Sequence, residues 1–417
     1  MATKNQKPIL ISGGGLASLL LAQSLLRSSI PFTIFERDSS ISFRGQGYRL
    51  RLSAEGIDAI ESVLSPEDFK TFWGMCGKTG GAGFGQIDGP SGELVLPKEK
   101  SDEEKASQKA TEEGKKGQEE KGPVETLASR DGNVIGISRG DMRRLFMSGC
   151  EPFVEWSHRV TGYELTPDGV RAVFEDGSKS VEGSMLVAGE GVSSKVAKQL
   201  SGGKLKVYDT GARGIHGQAP TTAFKGLGEG VWRVTDSSDP RGLYSVITNV
   251  RPGEMDDPNI QFGWTMVGPP GLVQAPNDNY SVIGKPAADI AKALTAKWHP
   301  RVKSLFTEMD ENEAAFWKIT CSTPSGIPGW TNNPRVTVIG DAAHSMTPAG
   351  GIGANTAVRD SAVLGNLLRE AGGYQEDITA EYEKEMRVYG SEAVNSSYTF
   401  AVTQMGIKID EETSATL

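Results

Sequence analysis

The first 36 residues contain a strand, a glycine turn, a helix and a second strand, and this pattern constrains the fold more than any other feature. A short apolar run at residues 8–12 leads into three consecutive glycines, and residues 16–27 then place apolar side chains at helical spacing. Aromatic and β-branched residues follow at 31–35. Such a βαβ unit belongs to a parallel sheet covered by helices, so the sequence predicts an α/β fold.

The glycine turn has the spacing of a dinucleotide-binding fingerprint. Gly13-x-Gly15-x-x-Ser18 approximates G-x-G-x-x-G. Gly13 would permit the tight turn, and Gly15 would let the backbone approach a pyrophosphate at the helix N-terminus. Glycine turns also occur without ligands, but Glu36 follows about 20 residues later, where a carboxylate can accept the hydroxyls of an adenosine ribose. The combination predicts a nucleotide site.

A second glycine-rich segment, residues 340–355, follows an apolar strand late in the chain. It contains Gly-Asp-Ala-Ala-His, then a glycine-rich loop, and a helix is predicted to begin near Gly353. Asp341 comes directly after the strand. A carboxylate followed by a helix N-terminus suits a polyol and an anionic group, so this segment predicts a second binding site.

This segment resembles the GD motif of the single-component (group A) flavoprotein monooxygenases, the family of para-hydroxybenzoate hydroxylase. The resemblance implies that Asp341 binds the ribityl chain of FAD. It also implies that the loop and the start of the next helix lie beside the flavin ring. The cofactor contacts there would be made by Gly353, Ala354 and Asn355.

Other segments agree with the same family. Residues 186–196 resemble its DG motif, with Glu190 in place of the usual aspartate, and Ala197, the next residue, stands where the family has an arginine. Arg139 matches the family arginine that opens a helix and contacts the flavin. The remaining cofactor residues that the resemblance implies are Arg37 and Arg44, for the adenylate and pyrophosphate, and Gly47, whose backbone would pass under the ring.

The resemblance implies a Rossmann-like FAD-binding domain of the GR2 type, assembled from separated segments, with a mostly antiparallel substrate domain and C-terminal helices. The charged and polar residues at 98–123 include no aromatic or large aliphatic side chain, so this segment is expected to be a mobile insertion. The expected boundaries are 1–75, 128–203 and 331–372 for the FAD-binding domain, 76–97 and 204–330 for the substrate domain, and 373–417 for the C-terminal helical segment.

Residues 204–330 carry no motif, as expected for the part that selects a substrate. Arg213 falls where many relatives carry an arginine on the sheet facing the flavin, so it is the candidate catalytic residue, although a surface strand arginine explains it equally well. His216 is expected on the same sheet face, where a structural histidine is the commoner outcome. Three aromatic residues could wall a pocket or form ordinary core: Trp232, Phe262 and Trp264.

The resemblance to this family implies an FAD-dependent monooxygenase that uses NADPH or NADH and O2 to insert one oxygen atom into an aromatic, polycyclic or otherwise electron-rich small molecule of secondary metabolism. Hydroxylation is favoured over epoxidation or Baeyer–Villiger insertion. A flavin-dependent halogenase is an alternative, but Trp330 lies in Ile-Pro-Gly-Trp rather than W-x-W-x-I-P. A flavin-binding scaffold is favoured only by Glu190 and Ala197. A plain NAD dehydrogenase would leave Asp341 unexplained.

Composition narrows the partners and the compartment. The formal net charge of −9 argues against nucleic acid as the main partner. The three cysteines have no metal-ligand or disulfide-framework spacing, so no metal site is expected and a reducing compartment fits. No apolar segment is long enough to predict a membrane span. We therefore expect a cytoplasmic monomer or homodimer.

Overall fold

The computed structural model of the chain describes residues 6–41, 49–80, 84–95, 128–275 and 282–417. The predicted insertion at 98–123 and the candidate cofactor residues Arg44 and Gly47 lie outside these ranges. The strands are β1 (Ile9–Ser12), β2 (Phe32–Glu36), β3 (Arg49–Leu52), β4 (Gly77–Gly80), β5 (Phe84–Asp88), β6 (Asn133–Ser138), β7 (Val154–Trp156), β8 (Val160–Thr166), β9 (Gly169–Phe174), β10 (Met185–Ala188), β11 (Val207–Pro220), β12 (Gly230–Asp236), β13 (Tyr244–Val250), β14 (Gln261–Gly268), β15 (Ala315–Ser322) and β16 (Val336–Val338). The α-helices are α1 (Leu16–Arg27), α2 (Ala54–Val63), α3 (Pro66–Met75), α4 (Arg139–Met147), α5 (Lys195–Leu200), α6 (Lys285–Leu294), α7 (Pro300–Thr307), α8 (Asp341–His344), α9 (Gly353–Ala371) and α10 (Ile378–Met405).

A five-stranded parallel sheet in the order β16-β10-β1-β2-β7 forms the nucleotide-binding half of the molecule. Every residue of β1 and β10 is buried, as expected for parallel strands covered on both faces. Helix α1 follows β1 directly and is buried along most of its length, because its leucines recur on several faces. The sheet joins segments from the start, middle and end of the chain, and the predicted fold class is confirmed.

A six-stranded sheet in the order β15-β11-β14-β13-β12-β5 forms the second half. Its strands are antiparallel except for β5, which pairs in parallel with β12. One face packs against α6 and α7 in a core that includes Ile215, Met266 and Phe306. Among the described helices, none combines the length and the apolar character that crossing a bilayer requires.

A small third sheet, β3-β6-β4, lies beside the other two. The boundary expected at residue 76 would assign β4 to the substrate domain, yet β4 pairs with β6, next to α4. Strand β5 follows β4 closely and joins the six-stranded sheet instead. The chain therefore passes from one sheet to the other between these two short strands rather than at the expected boundary.

A buried carboxylate ties the C-terminal helices to the parallel sheet. Asp360 of α9 accepts hydrogen bonds from the Gly340 amide at 2.6 Å and from the Tyr389 hydroxyl of α10 at 2.6 Å. His344 Nε2 lies 2.7 Å from the same carboxylate, and its pKa is raised because the attraction of Asp360 outweighs the effect of burial. This network holds α8, α9 and α10 together at the end of β16.

Replacing Tyr389 by phenylalanine should lower the free energy of unfolding. The change leaves a buried oxygen of Asp360 without its donor, which costs about 1–3 kcal/mol. The matched control is Tyr374→Phe, because the Tyr374 hydroxyl has no hydrogen-bond partner within the described ranges and its loss should be nearly neutral. Urea unfolding of both variants measures the difference. Equal stability of the two variants would contradict the role of Tyr389.

Candidate functional site

Four predicted or motif residues meet at one edge of the parallel sheet. Gly13 follows β1, Glu36 ends β2, Glu190 follows β10, and Asp341 follows β16. Because the strands are parallel and adjacent, their carboxyl ends lie together, which is where ligands bind in open α/β sheets. The structure therefore brings the two distant glycine-rich segments into one cleft.

The first turn has the geometry of an anion site. Gly13 has a φ of +88°, and a Cβ atom there would lie 2.7 Å from the carbonyl oxygen of Gly189. Gly15 is the N-cap residue of α1, and no side chain caps the first N–H groups of this helix. No acidic residue occupies the first helical turn. These amides and the helix dipole suit a pyrophosphate.

Glu36 and Arg143 hold the backbone of this turn from its buried side. Glu36 accepts hydrogen bonds from the Gly14 amide at 2.6 Å and from the Asp38 amide at 2.9 Å. Arg143 donates to the Gly14 carbonyl at 2.9 Å and lies 3.7 Å from the Glu36 carboxylate. Arg37, by contrast, is exposed.

Sequence reasoning missed Arg143. It lies on the buried face of α4 between Met142 and Phe146, and its guanidinium is almost fully enclosed. A charged residue inside an apolar helical stripe was the available signal, because a buried arginine needs acceptors from another element. The carbonyl of Gly14 supplies one of these acceptors.

Arg139 lies near enough to Asp341 for its charge to act on the Asp341 carboxyl. Part of Asp341 is exposed to solvent, but protein atoms crowd around its carboxyl group. The resulting loss of hydration raises the pKa of Asp341, and the charges of His344 and Arg139 partly oppose this increase. Arg139 is the first residue of α4, capped by the Ser138 side chain. The carboxylate suits the hydroxyls of a polyol, and Arg139 supplies a nearby positive charge.

Asn355 links the start of α9 to β3. Its side-chain amide donates to the Arg51 carbonyl at 3.1 Å, and its oxygen accepts from the Ser53 amide at 2.9 Å. Gly353 and Ala354, just before it, are half-buried at the uncapped start of the helix. The predicted flavin-side residues are therefore held next to the small third sheet.

One face of the six-stranded sheet is turned toward this cleft. Trp317 and Val267 on this face pack with Ala349 of the glycine-rich loop. The His216 ring stacks on Trp317 with centroids 4.9 Å apart, and its Nδ1 lies 3.0 Å from the Thr265 hydroxyl. Burial, and then the charge of Arg139, lowers the pKa of His216 to about 3, so this imidazole is neutral at physiological pH.

The expectation that Arg213 faces the flavin needs correction. Arg213 is three residues before His216 on a regularly paired strand, so the two side chains lie on opposite faces. Both terminal nitrogens of the Arg213 guanidinium, Nη1 and Nη2, donate to the Asp209 carboxylate, at 2.7 and 3.1 Å, and Lys318 lies 3.7 Å from the same carboxylate. The expectation that Arg213 and His216 share one face was wrong, because two residues of a strand lie on the same face only when an even number of positions separates them.

Phe262 and Trp264 also lie on the face of the six-stranded sheet that is turned away from the cleft. Both are buried in the core formed with α6 and α7, and the Trp264 indole donates to the Leu305 carbonyl at 3.1 Å. Trp232 is half-buried and packs against the same core. These aromatic residues therefore form core rather than the wall of the pocket.

A cavity of about 130 Å³ lies between the third sheet and the six-stranded sheet. Thr265, the partner of His216, lines the cavity, and so does Arg51, whose carbonyl is bonded to Asn355. The cavity therefore lies next to the start of α9 through Arg51 and next to His216 through Thr265. Its lining residues are Arg49, Leu50, Arg51, Val134, Ile135, Gly136, Val231, Ile247, Thr248, Asn249, Gly263 and Thr265.

A sequence profile of the FAD-binding domain family matches residues 142–397, more than half of the chain. The chain belongs to this family. The resemblance to group A flavoprotein monooxygenases is confirmed, and the cofactor of this fold is FAD. The cleft fits that cofactor, because it combines the uncapped N-termini of α1 and α9 with the carboxylates of Glu36 and Asp341.

Curated relatives carry monooxygenase names. The chain is 29% identical to the dual O-methyltransferase/FAD-dependent monooxygenase elcB of Phaeosphaeria nodorum, over 90% of this chain and 42% of that protein. It is 24% identical to the FAD-dependent monooxygenase thnD of Trichoderma harzianum, over 96% of this chain and 90% of that protein. The chain thus spans less than half the length of the dual enzyme it matches.

Solved structures share the fold. The uric acid and FAD complex of Klebsiella pneumoniae HpxO superposes with a TM-score of 0.69 at 19% identity, covering 96% of this chain and 89% of that chain. A salicylate hydroxylase substrate complex gives a TM-score of 0.69 at 18% identity, covering 98% and 92%. At these identities, the likeness shows the fold alone.

Glu190 occupies the altered position of the DG motif. One of its oxygens accepts from the Val196 amide at 3.3 Å, so it supports the start of α5. The other oxygen is buried without a hydrogen-bond partner in the described part of the chain. Burial raises the pKa of Glu190 to about 6. The longer carboxylate thus keeps a local structural contact through one oxygen and buries the other.

Replacing Gly13 by alanine should weaken FAD binding by at least about tenfold, because the new Cβ would collide with the Gly189 carbonyl and displace the turn. Titration of the apoprotein with FAD, followed by flavin fluorescence, measures the affinity. Gly177→Ala is the matched control, since Gly177 has a φ of +83° but open space around it. Wild-type FAD affinity in the Gly13 variant would disprove the close approach.

Replacing Glu190 by glutamine should stabilise the apoprotein at neutral and higher pH. The folded pKa of about 6 exceeds the ordinary value of 4.5, so the ionised form is disfavoured by folding. The contribution of Glu190 to the stability is therefore largest below about pH 4.5 and declines by about 2 kcal/mol as the pH rises through about 6. Unfolding experiments across this range should give a variant advantage that appears above pH 6 and vanishes near pH 4. A pH-independent difference would contradict the assignment.

Proposed function

We propose that this protein is an FAD-dependent monooxygenase that uses NADPH or NADH and O2 to hydroxylate an aromatic small molecule. The observation that carries the proposal is the position of the cavity, which adjoins Asn355 on the cofactor side and Thr265 on the substrate sheet. The monooxygenase names of the relatives and the motifs at Gly13, Glu36 and Asp341 support the same activity.

The cofactor residues have separate tasks. Glu36 and the start of α1 would hold the adenosine and pyrophosphate, while Asp341 would hold the ribityl chain. Bound FAD would supply the redox chemistry, accepting a hydride from the nicotinamide and activating O2 for transfer to the substrate. Arg139 and the amides at the start of α9 would stabilise negative charge on the reduced ring.

The substrate side is suited to positioning and to keeping water out. His216 is neutral and anchored by Trp317 and Thr265, so its ring can orient a substrate without adding charge. We therefore propose that His216, and not Arg213, is the residue of this sheet that positions the substrate. The three cysteines are buried and burial raises the pKa of each to about 12, which makes them poor nucleophiles.

The relatives' names also support the type of substrate. In elcB and in CTB3 of Cercospora beticola, a monooxygenase is named together with an O-methyltransferase. Methyl transfer to oxygen and ring hydroxylation both suit an electron-rich phenol, so we propose a phenolic substrate of secondary metabolism. All three cysteines are free thiols, as is usual for proteins of reducing compartments, and this supports a cytoplasmic location.

The halogenase alternative gains no support. Trp330 is buried under the Arg387 guanidinium, 4.1 Å from its ring centroid, so it packs the C-terminal helix rather than the pocket. The relatives elcB, CTB3 and thnD carry monooxygenase names. No observation favours a second function.

The activity predicts that NADPH or NADH bleaches the flavin absorbance of the purified protein under anaerobic conditions, and that the flavin reoxidises with O2. With a phenolic substrate and ¹⁸O₂, one labelled atom should enter the product. Asp341→Ala should reduce FAD occupancy, whereas Asp256→Ala, at an exposed ion pair with Lys225, should not. A flavin that is never reduced, or product oxygen that comes only from water, would refute the proposal.

A further inference from the structure

The cavity beside the cofactor cleft has one strongly basic wall. Arg49 and Arg51 alternate along β3 with Leu50 and Leu52. Leu52 is buried in the core beneath the sheet and Leu50 packs against that core, so the two arginine side chains project from the opposite face. Both arginines line the cavity.

Arg49 lies beside a second cation. A Cβ atom on Gly77 would lie 2.1 Å from Cδ of Arg251 and 2.9 Å from Nη2 of Arg49, so this glycine leaves room for two neighbouring arginine side chains. Glu254 forms an ion pair with Arg251. Within the described residues, Glu254 is the carboxylate at ion-pair distance from this cluster of two positive charges.

The hydrogen-bonding capacity of Arg49 is also incompletely used. Its Nη2 donates to the Gly136 carbonyl at 3.0 Å, while its buried Nε has no partner within the described ranges. Burial, and then the charge of Arg251, lowers the pKa of Arg49 to about 10, although Glu254 and Asp141 oppose this change. Arg49 is therefore a cation at neutral pH in surroundings that disfavour a charge, and an anion would relieve this cost.

The rest of the cavity suits an aromatic ring. Val134, Val231 and Ile247 supply apolar walls, and Gly136 adds no side chain to the space. The volume of about 130 Å³ is comparable to cavities of roughly 150 Å³ that bind benzene. Thr248, Asn249 and Thr265 add polar groups at the edge.

We propose that Arg49 binds an anionic oxygen attached to the aromatic ring of the substrate, either a carboxylate or an ionised hydroxyl. This rests on the proposed function for the identity of the reaction, but the anion site itself does not require turnover. A guanidinium forms charge-assisted hydrogen bonds to either oxygen group and would fix the orientation of the ring in the cavity. Arg49 is thereby a specificity-determining residue.

The test compares pairs of probes that differ in charge but little in shape. Benzoate is paired with benzamide, and 4-nitrophenolate with 4-nitroanisole, at about pH 8 where both acidic probes are ionised. Equilibrium dialysis against the FAD-loaded protein measures binding. The wild type should bind at least one anion about tenfold or more tightly than its neutral partner. The pair that shows the preference distinguishes a carboxylate from an ionised hydroxyl.

Variants assign the preference to Arg49. Arg49→Gln should weaken anion binding about 10- to 100-fold and leave the neutral probes unchanged, and Arg49→Lys should restore part of the loss. Arg241→Gln is the matched control, because it removes one positive charge at an exposed pair with Asp239 in the same sheet region. If Arg49→Gln does not fold, the lysine variant and the wild-type probe pairs still decide.

Two results would overturn the proposal. The first is equal affinity of the wild type for the charged and neutral members of both pairs, and the second is an anion preference that survives in Arg49→Gln. Flavin reduction by NADPH is measured separately on the same preparations. A protein that prefers anions but never reduces its flavin would keep the anion site and refute the monooxygenase.

Discussion

The buried carboxylate of Asp360 is the interaction on which the arrangement of the cofactor cleft depends. A charge in the interior is tolerated only when its oxygens are satisfied, and here the donors come from Gly340, His344 and Tyr389. Gly340 immediately precedes Asp341. Satisfying Asp360 therefore sets where β16 ends, where Asp341 enters the cleft, and how α10 lies against α9.

The same logic holds on the other side of the cleft, where Arg143 and Glu36 surround the backbone of Gly14. In both places a buried charged side chain holds the backbone of a glycine-rich turn, while the turn keeps its outer surface open. A rigid support with an exposed backbone is what a long, anionic cofactor requires. The shape of the cleft thus depends on buried side chains as well as on the residues that would contact the cofactor.

Much of the fold could be predicted, because its signals are local. The βαβ unit, the helix that begins at Gly353 and the long C-terminal helix from Ile378 follow from periodicity and glycine placement. The partner of β4 could not be predicted, since its four residues, Gly-Lys-Thr-Gly, contain no apolar alternation to assign a face. Arg143 was missed because its role depends on a carbonyl 129 positions away. Arg213 does not share the face of His216, because three residues separate them along β11, and the register with β14 fixes which face each takes.

The cofactor half of this protein can be predicted from local sequence. Turns that need glycine and carboxylates close after strands are short-range features, so residues 13–36 and 340–355 predict a site for a flavin nucleotide, and the family match over residues 142–397 includes the second of these segments. The substrate half depends on contacts between distant parts of the chain. The cavity lies between two sheets whose strands are far apart in the chain. Strand pairing brings Arg49 and Thr265 to the walls of this cavity and places His216 beside Thr265. Pairing of distant strands depends on collective packing, which no single segment encodes.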